Sequence, residues 1–289
     1  MRTYAAPYSL ACRGRLLDLS RPVVMGILNT TPDSFYAGSR VRSVTTALKQ
    51  AEQMLDEGAA VLDIGGASSR PGAEEVPVEE ELRRIMPVIE EILRHFPEAI
   101  LSVDTWRAAV AREALDAGAA IVNDISAGRW DEALLPVVAR YRCPYILMHA
   151  QGTPKTMQLA PAYTDVVQEV LDFFISKIGQ LRALGIADIV VDPGFGFGKT
   201  LAHNYTLLRH LSAMEAVLQV PVLVGVSRKS MVCRLLGIKP EEALNGTTAL
   251  HVLALQQGAR LLRAHDVREA VEAIRIVEAY GAPEDIQAP

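Results

Sequence analysis

The sequence predicts a (β/α)8 barrel built as one domain over residues 1–289, with a short hairpin over residues 1–22 as a cap. Three observations predict it. Eight short apolar runs recur along the chain at roughly regular intervals. Amphipathic helical stretches lie between them. Each run ends in a small polar or charged set, as strands of a barrel do where they open onto a catalytic face.

The elements follow in order. The stretch "CRGRLLDL" near the N-terminus reads as a hairpin that covers the bottom of the barrel. The strands are VVMGIL (23–28), AAVLDI (59–64), AILSV (99–103), AAIVN (119–123), PYILM (144–148), DIVV (188–191), PVLVGV (221–226) and ARLLR (259–263). They are near-continuous rather than alternating, the pattern of parallel strands buried on both faces. Between them, VTTALKQAEQMLDEGA, VEEELRRIMPVIEEILRHF and AYTDVVQEVLDFFISKIGQLRALG place apolar residues at three- and four-residue spacing, and several such stretches close on Gly. A doubly wound open sheet would more often carry G-x-G-x-x-G after its first strand; here that strand runs into "NTTPDSF".

The chain has 289 residues, half of them hydrophobic, and a net charge of −5 without a basic block, which argues against a nucleic-acid partner. Cys12, Cys143 and Cys233 are odd in number and lack metal-like spacing, the usage of a reducing compartment. With no signal-peptide core and no apolar span of membrane length, the expectation is a cytoplasmic protein that touches no membrane.

The polar sets at the strand ends are Asn29, Asp63-Ile-Gly-Gly, Asp104-Thr105, Asn123-Asp124, His149, Asp192-Pro-Gly, Ser227-Arg228-Lys229-Ser230 and Arg263-Ala-His265-Asp266. In a barrel all eight converge on one pocket mouth. Singly, several have plainer readings. Asp124 and Asp266 serve equally well as helix N-caps, His149 reads as a structural hydrogen-bonding group, and Arg228 and Lys229 as solvated helix-start residues. Arg107 reads as an exposed residue of a first helical turn. Caps alone, however, do not call for "DPGFGFGK" or "SRKS".

Two chemistries meet in that pocket. Asp104, Asn123 and Asp192 are hydrogen-bonding groups suited to an amino-pyrimidine edge. Arg70, Lys229, Arg263 and His265 gather positive charge in an acidic protein, which suits an anionic group such as a phosphate. Phe195 and Phe197 are either core plugs or part of a loop against a flat ligand. Asn29 with Asp33 can offer Mg²⁺ one or two oxygens, an ion that takes few protein ligands beside substrate phosphates.

Taken together, MGILNTTPDSF (25–35), DIGGASSRPGA (63–73), SVDT (102–105), IVNDIS (121–126), LMHAQGTPKTMQ (147–158), DPGFGFGK (192–199), GVSRKSM (225–231) and RAHDV (263–267) resemble the dihydropteroate synthase family of pterin-binding barrels over nearly the whole chain. The resemblance implies the condensation of 6-hydroxymethyl-7,8-dihydropterin diphosphate with p-aminobenzoate, through a pterin methylene cation, to 7,8-dihydropteroate and diphosphate. It implies a pterin site of Asp104, Asn123, Met148, Asp192, Phe197 and Lys229. It implies a diphosphate site of Asn29, Arg70, Arg263 and His265 with Mg²⁺ near Asn29, and a p-aminobenzoate slot of Phe35, Ser69, Pro71 and Ser230, bordered by Lys229. Lys229, Arg263, Asp104 and Asp192 would carry catalysis. A homodimer and sulfonamide recognition also belong to what the family implies.

The chain departs from the family's usual loops at Tyr36, Ala37, Ala67 and Ser69, all on the p-aminobenzoate side. Two other functions compete: a pterin-dependent methyltransferase, which has no use for NTTPDSF, the RPG arginine or the SRKS lysine, and a catalytically silent pterin-binding paralogue.

Overall fold

The computed structural model describes residues 8–30, 40–67, 76–152 and 161–285, with the backbone alone for 40–43 and 285. Eight parallel strands form the barrel wall: β3 (Val23–Asn29), β4 (Ala59–Gly65), β5 (Leu101–Asp104), β6 (Ile121–Asp124), β7 (Tyr145–Met148), β8 (Ile189–Asp192), β9 (Leu223–Val224) and β10 (Leu261–Ala264). Their order is β8-β7-β6-β5-β4-β3-β10-β9, and a parallel bridge between Val191 and Val222 joins the two ends of the sheet. The seventh run, PVLVGV, has the shortest strand, reduced to two paired residues.

Alternation along each strand divides the apolar residues between two cores. Outward-facing Val24, Leu62, Val103, Val122, Leu147, Val191, Val224 and Leu262 pack beneath the helices. Inward-facing Met25, Val61, Ile121, Ile146, Val190, Leu223 and Leu261 form a separate cluster inside the barrel. This double burial is why the strands read as unbroken apolar runs.

The helices are α1 (Arg40–Asp56), α2 (Val78–His95), α3 (Ala108–Ala117), α4 (Leu134–Tyr141), α5 (Val166–Ala183), α6 (Leu201–Arg209), α7 (Leu211–Leu218), α8 (Ser230–Leu236), α9 (Leu244–Gln256) and α10 (Val267–Gly281). The stretch beginning AYTD starts its helix only at Val166, because the Asp165 carboxylate accepts the N–H groups of Val167 and Gln168 and fixes the start there.

β1 (Ser9–Cys12) and β2 (Arg15–Asp18) form the expected N-terminal hairpin, turned through Arg13 and Gly14, both at positive φ. Leu10, Cys12, Leu17 and Leu19 join the inward-facing cluster and close the bottom of the barrel. Arg260, fully buried, donates to the Leu19 and Ser20 carbonyls and pairs with Glu215, fastening the hairpin's exit to the wall.

Candidate active site

One strand step above the apolar floor, the inward positions change character. Two residues beyond Val61 lies Asp63, beyond Ile121 Asn123, beyond Ile146 Met148, beyond Val190 Asp192, beyond Leu223 Gly225 and beyond Leu261 Arg263. Period-two geometry puts all of them inside the barrel, and the same step that buries the floor assembles the site.

Arg263 lies at the middle of this layer. Its Nε donates to Asp63 Oδ2 at 2.6 Å and its Nη2 to Asp104 Oδ2 at 2.8 Å, while Asn123 Nδ2 donates to the same Asp63 oxygen at 2.9 Å. Burial opposes the guanidinium charge, but the two carboxylates more than offset it and raise the pKa of Arg263. Burial pushes Asp104 up to about 7, with Arg263 acting against the shift and Asp63 with it.

Lys229, Asp192 and Arg263 converge above Gly225: a Cβ added there would lie 3.6 Å from Lys229 Nζ, 3.8 Å from Asp192 Oδ2 and 3.9 Å from Arg263 Cβ. Lys229 Nζ donates to the Phe195 carbonyl at 2.8 Å and stands 4.8 Å from the centre of the Phe197 ring. Burial lowers its pKa to about 8 against the pull of Asp192. Asp192 Oδ1 accepts the Gly194 N–H at 2.7 Å, and burial raises its pKa despite Lys229 nearby.

The rim carries the remaining groups. Met148, Ile125 and Ala150 form an apolar patch with Trp106, Trp130 and Phe197, so Phe197 faces the mouth whereas Phe195 is a fully buried plug. Asn29 ends β3, its Oδ1 near the same face of Gly65 as the Asp104 side chain. The Ser227 hydroxyl lies 3.0 Å from His265 Nδ1 and accepts the His265 backbone N–H, and Ser230 opens α8, exposed at the mouth. The sequence-predicted Phe35, Ser69, Arg70 and Pro71 lie outside the described residues, as do Asp33, Tyr36 and Ala37.

Several expectations change. Arg107 is buried, not exposed: its guanidinium pairs with the fully buried carboxylate of Glu81 and lies 5.1 Å from the centre of the Trp106 ring. Asp266 stands at the start of α10 without capping it by its side chain; its carboxylate instead takes a two-pronged bond from Arg228, which is thereby a structural residue and not a solvated one. Asp124 organises its own loop, accepting from Ser126, Gly128 and the Tyr145 hydroxyl. His149 is the structural group expected, bonded to Lys199. Arg263 and Asp104, assigned by resemblance to different substrate groups, are bonded to each other. The strand-end reading places Asp63 at the pocket mouth but gives it no ligand role, and it does not single out Lys199. The signal for Asp63 was the two-residue step from Val61, the same step that marks Arg263 and Asn123.

Residues 25–265 match the family described as pterin binding enzyme. The dihydropteroate synthase of Escherichia coli K12 is 50% identical over 272 residues, covering 93% of this chain and 95% of that protein. The chain belongs to the dihydropteroate synthase family. A Synechocystis dihydropteroate synthase is 44% identical, with 90% of each chain covered. Among solved structures, the Yersinia pestis dihydropteroate synthase in a sulfonamide drug complex superposes with a TM-score of 0.89 at 48% identity, covering 95% of this chain and all of that one. The Xanthomonas albilineans dihydropteroate synthase in complex with 7,8-dihydropteroate gives a TM-score of 0.85 at 43% identity, covering 97% of this chain and 100% of that one. The layer of Asp63, Asp104, Asn123, Asp192, Lys229 and Arg263 is therefore the candidate active site of a dihydropteroate synthase family member.

Proposed function

We propose that this chain condenses 6-hydroxymethyl-7,8-dihydropterin diphosphate with p-aminobenzoate in the polar layer at the barrel mouth. The observation that carries the assignment to these residues is the convergence of three carboxylates, an amide, a lysine and an arginine directly above an apolar floor. Asp104, Asn123 and Asp192 hold the amino-pyrimidine edge, Lys229 donates to the ring system, and Met148 and Phe197 cover its flat faces. The C–O bond to the diphosphate breaks with its electron pair leaving on oxygen, and the amine nitrogen of p-aminobenzoate attacks the exposed methylene and then sheds a proton.

Preorganised charge does most of the work. Asp63, Asp104 and Asp192 surround the pterin with negative charge that favours the developing cation, and no activated nucleophile is needed. Arg263, already anchored by two carboxylates, presents its remaining N–H groups toward the leaving diphosphate together with His265 and Arg70. The Asn29 amide oxygen fits Mg²⁺ as one hard, neutral donor beside substrate oxygens, and among the described residues no acidic or imidazole cluster competes for the ion. When bound, Mg²⁺ supplies charge neutralisation at the diphosphate. Phe35, Ser69, Pro71 and Ser230 form the p-aminobenzoate slot, where sulfonamides compete.

The chain acts in the cytoplasm as a homodimer, the dimer being supported by the apolar residues Leu253, Ile276 and Tyr280 exposed on α9 and α10.

The test is the reaction itself. Protein, pterin diphosphate, p-aminobenzoate and Mg²⁺ should yield dihydropteroate and diphosphate in equal amounts. Pterin binding without diphosphate release would favour the silent paralogue, and methyl transfer from methyl-tetrahydrofolate the methyltransferase.

A further inference from the structure

Lys199 is only 3% exposed, and its ammonium has no carboxylate among its hydrogen-bond partners. It sits instead among four acceptors: His149 Nδ1 at 2.9 Å and the carbonyls of His149, Gly194 and Phe197 at 3.2, 3.1 and 3.0 Å. Three N–H donors facing three carbonyls and an imidazole nitrogen resemble the oxygen-rich cage of a bound monovalent cation more than a salt bridge. Burial pushes the pKa of His149 down to about 2, so its ring is neutral and its Nδ1 is the acceptor.

The acceptors belong to two segments, the ends of β7 and β8, which run unusually close. A Cβ on Gly194 would lie 1.9 Å from the His149 carbonyl oxygen, and one on Gly198 2.4 Å from that of Gln151. The two segments are joined by the His149 N–H, which donates to the Asp192 carbonyl, and bridged by the Lys199 ammonium, whose pKa burial lowers to about 7 against the pull of Asp192 and whose donors draw three carbonyls to one point. The clamped segment carries ligand-facing parts. Gly194 N–H orients Asp192, the Phe195 carbonyl holds Lys229, and the Phe197 ring lies beneath the Lys229 ammonium.

We propose that Lys199 is a positioning residue of the pterin pocket, an internal cation that clamps the loops after β7 and β8 and thereby sets Asp192, Lys229 and Phe197 for the pterin ring. The proposal rests on the pterin-pocket reading given above.

The test compares Lys199→Met with Asp192→Asn. An unreactive 6-substituted pterin is titrated calorimetrically, and KM is measured separately for pterin diphosphate and p-aminobenzoate. Displacement of positioned groups by about 1 Å costs on the order of 100-fold. Lys199→Met should therefore weaken pterin binding by about 10- to 100-fold while KM for p-aminobenzoate changes by less than about threefold. Lys199→Ala should regain pterin affinity in the presence of methylammonium, which a loss of general stability would not allow. If Asp192→Asn weakens pterin binding and Lys199→Met does not, the positioning role is overturned and the pocket stands. Equal losses toward both substrates, without rescue by methylammonium, would also overturn it. If Asp192→Asn leaves pterin binding unchanged, the pocket reading itself fails. Should Lys199→Met not fold, Lys199→Gln, which keeps amide donors but not the charge, takes its place, and pterin binding left unchanged in Lys199→Gln would overturn the role of the cation.

Discussion

Lys229 reaches the barrel mouth with its ammonium on the Phe195 carbonyl and its charge opposed by burial, which lowers its pKa to about 8. A lysine that must donate to a bound ring works only while protonated, and kcat/KM reports the free protein. The kcat/KM for pterin diphosphate should hence fall with a single-proton slope above about pH 8 as Lys229 loses its proton, and fall below about pH 7 as the Asp104 carboxylate takes one up. In Lys229→Arg, whose guanidinium stays protonated, the alkaline limb should move beyond pH 10 even though turnover drops from imperfect geometry. An unchanged alkaline limb in Lys229→Arg would assign the titration to another group. At the same scale, Arg263→Ala removes the cation shared by Asp63 and Asp104. It should cost on the order of 2–4 kcal/mol of transition-state stabilisation, read as kcat/KM. A loss below tenfold would show that the guanidinium does not face the developing charge.

At the scale of elements, the pair between α2 and the start of α3 is the unexpected feature. Glu81 is fully buried, its Oε2 bonded to Arg107 and its Oε1 without a hydrogen-bond partner. Its backbone carbonyl lies 3.0 Å from where a Cβ on Gly66 would stand, and Arg84 donates to the Gly66 carbonyl, so this end of α2 also anchors the exit of β4. Removing one member of a buried pair strands the other's charge, at about 3–5 kcal/mol, whereas replacing both by apolar groups is often neutral. Arg107→Met should therefore lower unfolding stability by that amount in urea titrations, and Glu81→Met/Arg107→Met should recover most of it. An additive loss in the double variant would contradict this. The pair also marks where the sequence stops being informative. The strands were legible because each apolar run serves two cores at once, and the polar layer because it lies two residues past the floor. "EEELRR" and "DTWRAAV" look like ordinary solvated helix starts, since no local pattern tells which charge faces across to another helix. Asp266 and Arg228 were misread for the same reason: their partner is 38 residues away in the chain.

Across the whole molecule, the barrel separates stability from chemistry along its axis. The floor and the hairpin form one apolar cluster at the N-terminal ends of the strands, and the polar layer faces the other end. Arg260 is a fully buried polar fastener of the lower end. It is bonded to the Leu19 and Ser20 carbonyls and to Glu215, and it packs 5.3 Å from the centre of the Tyr8 ring. Arg263, three residues along and one layer higher, serves the opposite face. Arg260→Met keeps the volume but leaves two carbonyls and a carboxylate without their donor. The expected cost is about 3 kcal/mol, which at about 2–4 °C per kcal/mol for a domain approaching this size lowers the melting temperature by roughly 6–12 °C. Well below that temperature, kcat/KM should stay within about twofold of the parent, because nothing at the mouth depends on this end. Thermal melts and steady-state kinetics should separate the two ends: Arg260→Met loses stability and keeps activity, whereas Arg263→Ala, which strands the Asp63 and Asp104 carboxylates, loses both. Loss of turnover in Arg260→Met while the protein is still folded would mean that the lower layer transmits strain to the site and that the two ends are not separable.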